Sequence, residues 1–252
     1  MNDEKRERTK RRLYPETGAG GFSSVDGTVE FYGRVNALLH PDMVVLDFGA
    51  GRGTWMEDEL APYRRGLRML KGKVGKVVGV DIDHAVRANP ALDEAVVLEP
   101  DRPLPFADAA FDLIVADMVF EHVTQPENVA RELDRVLRPG GWLCARTPNR
   151  LGYIALGAML VPAPLHRRLL RRAQPDRQSR DIFPAVYRMN SRTLLLRLFP
   201  PARYDDYSYT DNSEPAYFGG SVAAWRAMRL LFRLLPPALG TALFVFKQKR
   251  AT

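Results

Sequence analysis

At 252 residues, with 46% hydrophobic and 27% charged side chains, the chain is long enough for one α/β domain with a full core, and its composition excludes fibrous and disordered classes. A single cysteine, Cys144, excludes an internal disulfide, and with only four scattered histidines no metal site is expected. The net charge of +7 leaves nucleic acid, an anionic membrane surface or no special partner open.

The opening stretch MNDEKRERTKRR is charged throughout and shows no apolar h-region, so no signal peptide is expected and the expected compartment is the cytoplasm. Val44, Val45 and Leu46 then read as a short buried strand, followed by Asp47 and by glycines at 49, 51 and 53. Trp55, Met56 and Leu60 continue into a helix, so this loop presents free N–H groups where backbone and ligand approach closely. The spacing G-x-G-x-G differs from the G-x-G-x-x-G of dinucleotide sites, and no G-K-[ST] follows as in a phosphate-binding P-loop. A carboxylate directly before the glycines repels phosphates and attracts a cationic or amine-bearing ligand. The loop therefore suits a nucleoside without phosphates.

Further strands follow, and each puts chemistry at its carboxyl end. KVVGVDIDHA ends a strand in Asp81, placed to accept from both hydroxyls of a ribose, with Ile82 beside it to cover a purine face. AVVLEPDRPLPF brings Asp101, an acceptor for an exocyclic amine, and AAFDLIVADMVFEHV ends a fourth strand in Asp117. The run from Glu127 to Asn149 predicts a helix with Val129, Leu133, Val136 and Leu137 on one face, then a Pro-Gly-Gly turn and a fifth strand. Near-continuous apolar strands alternating with helices predict a parallel sheet covered on both faces, with ligands at the strands' carboxyl ends.

The order D-F-G-A-G-R-G, V-G-V-D-I, P-L-P-F-A-D-A-A-F-D-L-I, E-H-V and R-V-L-R-P-G-G-W-L resembles the class I S-adenosylmethionine-dependent methyltransferases. The resemblance runs from Val44 to Asn149 and is nearest to the small-molecule branch that includes the quinone-biosynthesis enzymes. It implies an α/β, Rossmann-like, doubly wound sheet of seven strands, mostly parallel, whose last strand, in TALFVFKQKR, is antiparallel. A helical insertion would follow strand five. It implies S-adenosylmethionine as cofactor, with Asp47 and the loop of Gly49, Ala50, Gly51 and Gly53 at its methionine end. Asp81 would hold the ribose, Ile82 the adenine face and Asp101 the adenine amine, although the family places that acid slightly earlier, where this chain has Glu99 and Pro100. Asp117 and Met118 would line the site beside the sulfonium.

The expected division is a basic tail and cap segment at 1–40, the cofactor-binding core at 41–150, a helical insertion at 151–190 and the rest of the sheet domain at 191–252. The insertion opens with LGYIALGAMLVPAP, shorter than the roughly 20 apolar residues a bilayer span needs. LHRRLLRRAQPDRQSR follows, a basic amphipathic stretch that would lie on an anionic membrane at its inner face or cap the site. Phe183, Tyr187 and Arg188 come next as candidate acceptor-binding residues, together with Tyr14, Phe22, Phe31 and Tyr32 from the N-terminal segment. The expected reaction is methyl transfer, foremost to a hydroxyl of a small or lipid-linked acceptor, with His122 as the first candidate base and Asp117 and Glu121 behind it. Three other readings stand beside it: an RNA-directed methyltransferase, a non-catalytic nucleoside-binding protein and an NAD-dependent Rossmann protein. Nucleic acid is the weaker partner, because the end of the fourth strand reads Asp117-Met118-Val119-Phe120 and not the tetrapeptide of base-modifying amino-methyltransferases.

Overall fold

The computed structural model describes residues 2–59, 61–153, 185–215 and 221–251. Its strands are β1 (Val44–Phe48), β2 (Lys76–Asp81), β3 (Glu94–Val97), β4 (Phe111–Asp117), β5 (Leu137–Pro148), β6 (Tyr204–Asp206), β7 (Tyr209–Asp211) and β8 (Ala242–Lys249). They form one sheet in the order β3-β2-β1-β4-β5-β8-β6, with β7 also on β8. The first five strands run parallel, and β8 runs antiparallel to β5.

Eight strands stand where seven were expected, for a local reason. β6 and β7 pair with the two ends of the same edge of β8. Between them, Asp206 Oδ1 accepts from the Ser208 hydroxyl at 2.6 Å, a side-chain turn that breaks the ladder. The Ser208 hydroxyl in turn accepts from the Phe246 N–H at 3.2 Å. The edge is one ribbon with a kink.

Each central strand sends alternate side chains to opposite faces. Leu46, Val78, Ile114, Leu143 and Val245 meet Leu133 and Val136 of a helix at Pro126–Val136 and Leu195 of a helix at Arg192–Leu198. Val45, Val77, Leu113, Val115 and Phe244 meet Phe31 and Val35 of a helix at Gly27–Ala37. Burial on both faces is what a parallel sheet requires. Cys144 is fully buried on the second face, and that burial pushes its thiol well above the usual range, as for an inert structural thiol. Phe31 lies edge-on to Phe244, and Tyr14 packs edge-on against Trp225, so these two aromatics build the core instead of lining an acceptor pocket. The basic stretch from Leu165 to Arg180 and Phe183 lie outside the described residues.

Candidate cofactor and active site

The strand order reverses between β1 and β4, and helices that follow such strands leave on opposite faces, opening a crevice at the carboxyl ends. Asp47, Asp81 and Asp117 all stand at this end. The glycine loop is pinned from both sides. The N–H groups of Gly49 and Ala50 donate to the Val80 carbonyl at 2.8 and 3.0 Å, and the Asn89 amide donates to the carbonyls of Ala50 and Gly51. At Gly49 (φ +77°) a Cβ would lie 2.4 Å from Val119, and at Gly53 (φ +74°) one would lie 2.4 Å from the Asn89 oxygen. These two glycines are required by close packing. At Gly51 a Cβ would meet nothing within 4 Å, so the middle of the loop borders open space.

Asp81 has a double task. Its Oδ2 accepts from the Gly51 N–H and its Oδ1 from the Asp83 N–H, both at 2.9 Å. Each oxygen keeps a second acceptor direction, enough for a vicinal diol. Ile82 is 52% exposed and Met118 45%, two apolar side chains left open beside the carboxylates. The Leu98 N–H donates to the Asp81 carbonyl at 2.7 Å, which ties the residues just before Glu99 to Asp81. Asp101 stands further along the chain with its carboxylate taken by the Gln125 amide at 2.5 Å.

The acids differ sharply in charge state. Burial, with the nearby carboxylates of Asp117 and Asp81, pushes Asp47 up to about 7, while Arg68 opposes the shift. Burial would also raise Asp117, but Arg146 overrides it and brings this carboxyl below its usual range. The Arg146 guanidinium donates to both Asp117 oxygens, at 2.7 and 2.8 Å. Asp117 is thereby a fixed anion. Glu121 is buried, which raises its carboxyl, and its Oε2 accepts from the Thr147 hydroxyl at 2.9 Å. Its other oxygen stands 4.0 Å from His122 Nε2.

Three contributors escaped the reading of the sequence. Arg146 was legible only as a charge inside the apolar strand WLCAR. Asn89 carried no motif. Arg68 was one of many arginines, yet its guanidinium stands 4.8 Å over the Trp55 ring and 5.7 Å over Tyr32. Its Nε is buried with no hydrogen-bond partner among the described residues. A near-neutral acid and an arginine whose Nε lacks a partner among the described residues, both beside one loop, suit the ammonium and carboxylate of an amino acid.

Binding of a cation at Asp47 must expel its proton below pH 7. The affinity for S-adenosylhomocysteine should therefore be flat above pH 7 and weaken as pH falls below it, by up to about tenfold per unit. Titration calorimetry from pH 5.5 to 8.5 reads this directly. A flat profile would place the ammonium away from Asp47.

A doubly wound sheet with strand-end carboxylates and an open glycine loop at its switch point has the architecture of a nucleoside-binding protein. Residues 46–145 match the family model described as a methyltransferase domain. The chain is 34% identical over 114 residues to a ubiquinone/menaquinone biosynthesis C-methyltransferase of Laribacter hongkongensis, which covers 42% of this chain and 43% of that protein. It is 27% identical over 136 residues to a malonyl-[acyl-carrier protein] O-methyltransferase of Coxiella burnetii, covering 54% and 43%. The crystal structure of a SAM-dependent methyltransferase from Thermotoga maritima shares the fold at a TM-score of 0.52 with 17% identity, over 98% of this chain and 99% of that one. The chain thus spans less than half the length of these two curated relatives. Residues 46–145 thus match a methyltransferase domain, and the chain has the fold of an S-adenosylmethionine-dependent methyltransferase.

Proposed function

We propose that this protein transfers the methyl group of S-adenosylmethionine to a hydroxyl of a small or lipid-linked acceptor. The observation that carries the reading is the placement of Asp47, Asp81 and the open glycine loop together at the carboxyl ends of the strands, within the stretch that matches a methyltransferase domain. Asp81 would hold the ribose, Ile82 and Met118 the apolar faces, Arg68 the cofactor's carboxylate and Glu99 or Asp101 the adenine amine. When bound, the cofactor supplies a methyl already activated by its sulfonium, so the protein's own work is alignment and proton removal.

The turn Phe120–His122 carries the proton acceptor in this reading. Glu121 is locked by the Thr147 hydroxyl, which itself accepts from the Asn190 amide at 2.6 Å, and Glu121 Oε1 stands 4.0 Å from His122 Nε2. With Asp117 fixed by Arg146, His122 is the group suited to take the hydroxyl proton. The acceptor segment is joined to the same turn. The N–H groups of Val186 and Tyr187 donate to the Glu121 carbonyl at 2.7 and 3.1 Å, and Arg188 donates to the Thr124 carbonyl at 3.1 Å. Tyr187 has φ +51°, a conformation that non-glycine residues adopt at a cost.

The relatives methylate carbon in one case and oxygen in the other by their names, so the acceptor atom is the point to test. Methyl-labelled cofactor should label a component of lipid or small-molecule extracts, recovered as a methyl ether. His122→Ala should lower that turnover by about 10²–10⁴-fold with cofactor affinity unchanged. Tyr187→Phe and Arg188→Ala should raise the acceptor KM alone. Label on carbon or nitrogen, or full turnover without His122, would overturn the hydroxyl reading.

A further inference from the structure

The helix Val222–Leu234, α7 in chain order after Arg192–Leu198 as α6, has two apolar faces, and the described residues pack against only one of them. Its inner face is packed. Trp225 is 3% exposed and lies edge-on to Tyr14, Arg229 stands 4.8 Å over the Tyr14 ring, and Phe232 packs on Tyr153. These positions, 225, 229 and 232, follow the helical repeat along one side. Opposite them, Leu230, Leu231 and Leu234 are 58%, 41% and 74% exposed, in line with the exposed Ala223 and Ala227.

The rim of this second face is basic. Arg226 and Arg233 are exposed seven residues apart, on one line beside the leucines, and VAAWRAMRLLFRL contains no acidic residue. The C-terminal turn of the N-terminal helix Asn2–Leu13 is held against α7, since Arg229 donates to the Leu13 carbonyl at 3.3 Å. Leucines outward with arginines along their border is the pattern of a helix that lies in a lipid interface, its apolar side chains among the acyl chains and its guanidinium groups at the phosphates.

We propose that α7 docks this protein onto an anionic membrane surface. A second copy fits less well: three leucines and two alanines fall far short of the ~800 Å² per partner of a stable interface. Two copies packed on this face would also bring their arginines together, whereas an anionic surface complements them. The inference is independent of the acceptor's identity, and binding to vesicles needs neither cofactor nor turnover.

Flotation of the full chain with vesicles of phosphatidylglycerol and phosphatidylcholine should show binding that vanishes on pure phosphatidylcholine and weakens in 0.5 M salt. Leu230→Ser with Leu231→Ser and Leu234→Ser should cut the bound fraction at least tenfold, as should Arg226→Glu with Arg233→Glu. Both variants should keep the thermal shift given by S-adenosylhomocysteine, which shows that they fold. Charge reversal at Arg167, Arg168, Arg171 and Arg172 tests the other basic stretch in parallel. Three results would each overturn the proposal: no vesicle binding by the parent chain, binding that the α7 variants retain, or a dimer in solution that the leucine variant dissolves.

Discussion

Arg146→Met should destabilise the protein by about 3–5 kcal/mol, the cost of leaving one partner of a buried ion pair uncompensated. The pair is largely buried, with side-chain exposures of 14% for Arg146 and 10% for Asp117. Arg146 also lies 5.5 Å over the Phe31 ring and donates to the Thr28 hydroxyl at 3.1 Å, so one side chain ties β4, β5 and the helix Gly27–Ala37 together. The sign of the pH dependence gives a second check. In the parent chain Asp117 lies below its usual range, so its contribution is present above the unfolded carboxylate value and lost only in strong acid. Without Arg146, burial dominates and raises Asp117, so the deficit should shrink as pH falls and Asp117 takes a proton. Chemical denaturation of both proteins at pH 5 and pH 8 measures this. A deficit under 1 kcal/mol, or one that grows in acid, would show that the pair is not what holds these strands.

The second large effect lies on the ligand. Asp81→Ala should weaken S-adenosylhomocysteine binding by roughly tenfold to a hundredfold, the equivalent of the 1.5–3 kcal/mol typical of hydrogen bonds to a charged group. The loss has two sources, because Asp81 offers acceptors to a diol and also holds the Gly51 N–H. The substitution removes one of the carboxylates that raise Asp47 as well. The pH below which binding fails should therefore move down in the variant. Calorimetry on both proteins reads affinity and pH profile together. Unchanged affinity would transfer the ribose contact to another acceptor, with Glu99 the next to test.

Much of this site was legible in the chain because its parts are local. Asp47 and the glycines lie within seven residues, and strand, turn and helix start all appear as apolar runs and turn residues. The same holds for Asp81 at the end of an apolar run, whereas the antiparallel strand in TALFVFKQKR followed only from the family resemblance. The pairing of charges was not legible. Asp117 stood in the sequence as a candidate base, and β-sheet register alone sets it opposite Arg146, 29 residues away. Arg68 carries no motif, and its place over Trp55 depends on how the helix Pro62–Arg68 packs beside the loop.

By itself, then, the sequence determined which residues stand at strand ends, since hydrophobic period and turn chemistry act over a few neighbouring residues. The tertiary structure alone decided which of those acids is a fixed anion, which is half-neutral and which face of α7 remains open. Those properties depend on desolvation and on charges brought together from distant parts of the chain, and neither exists until the sheet has closed around them.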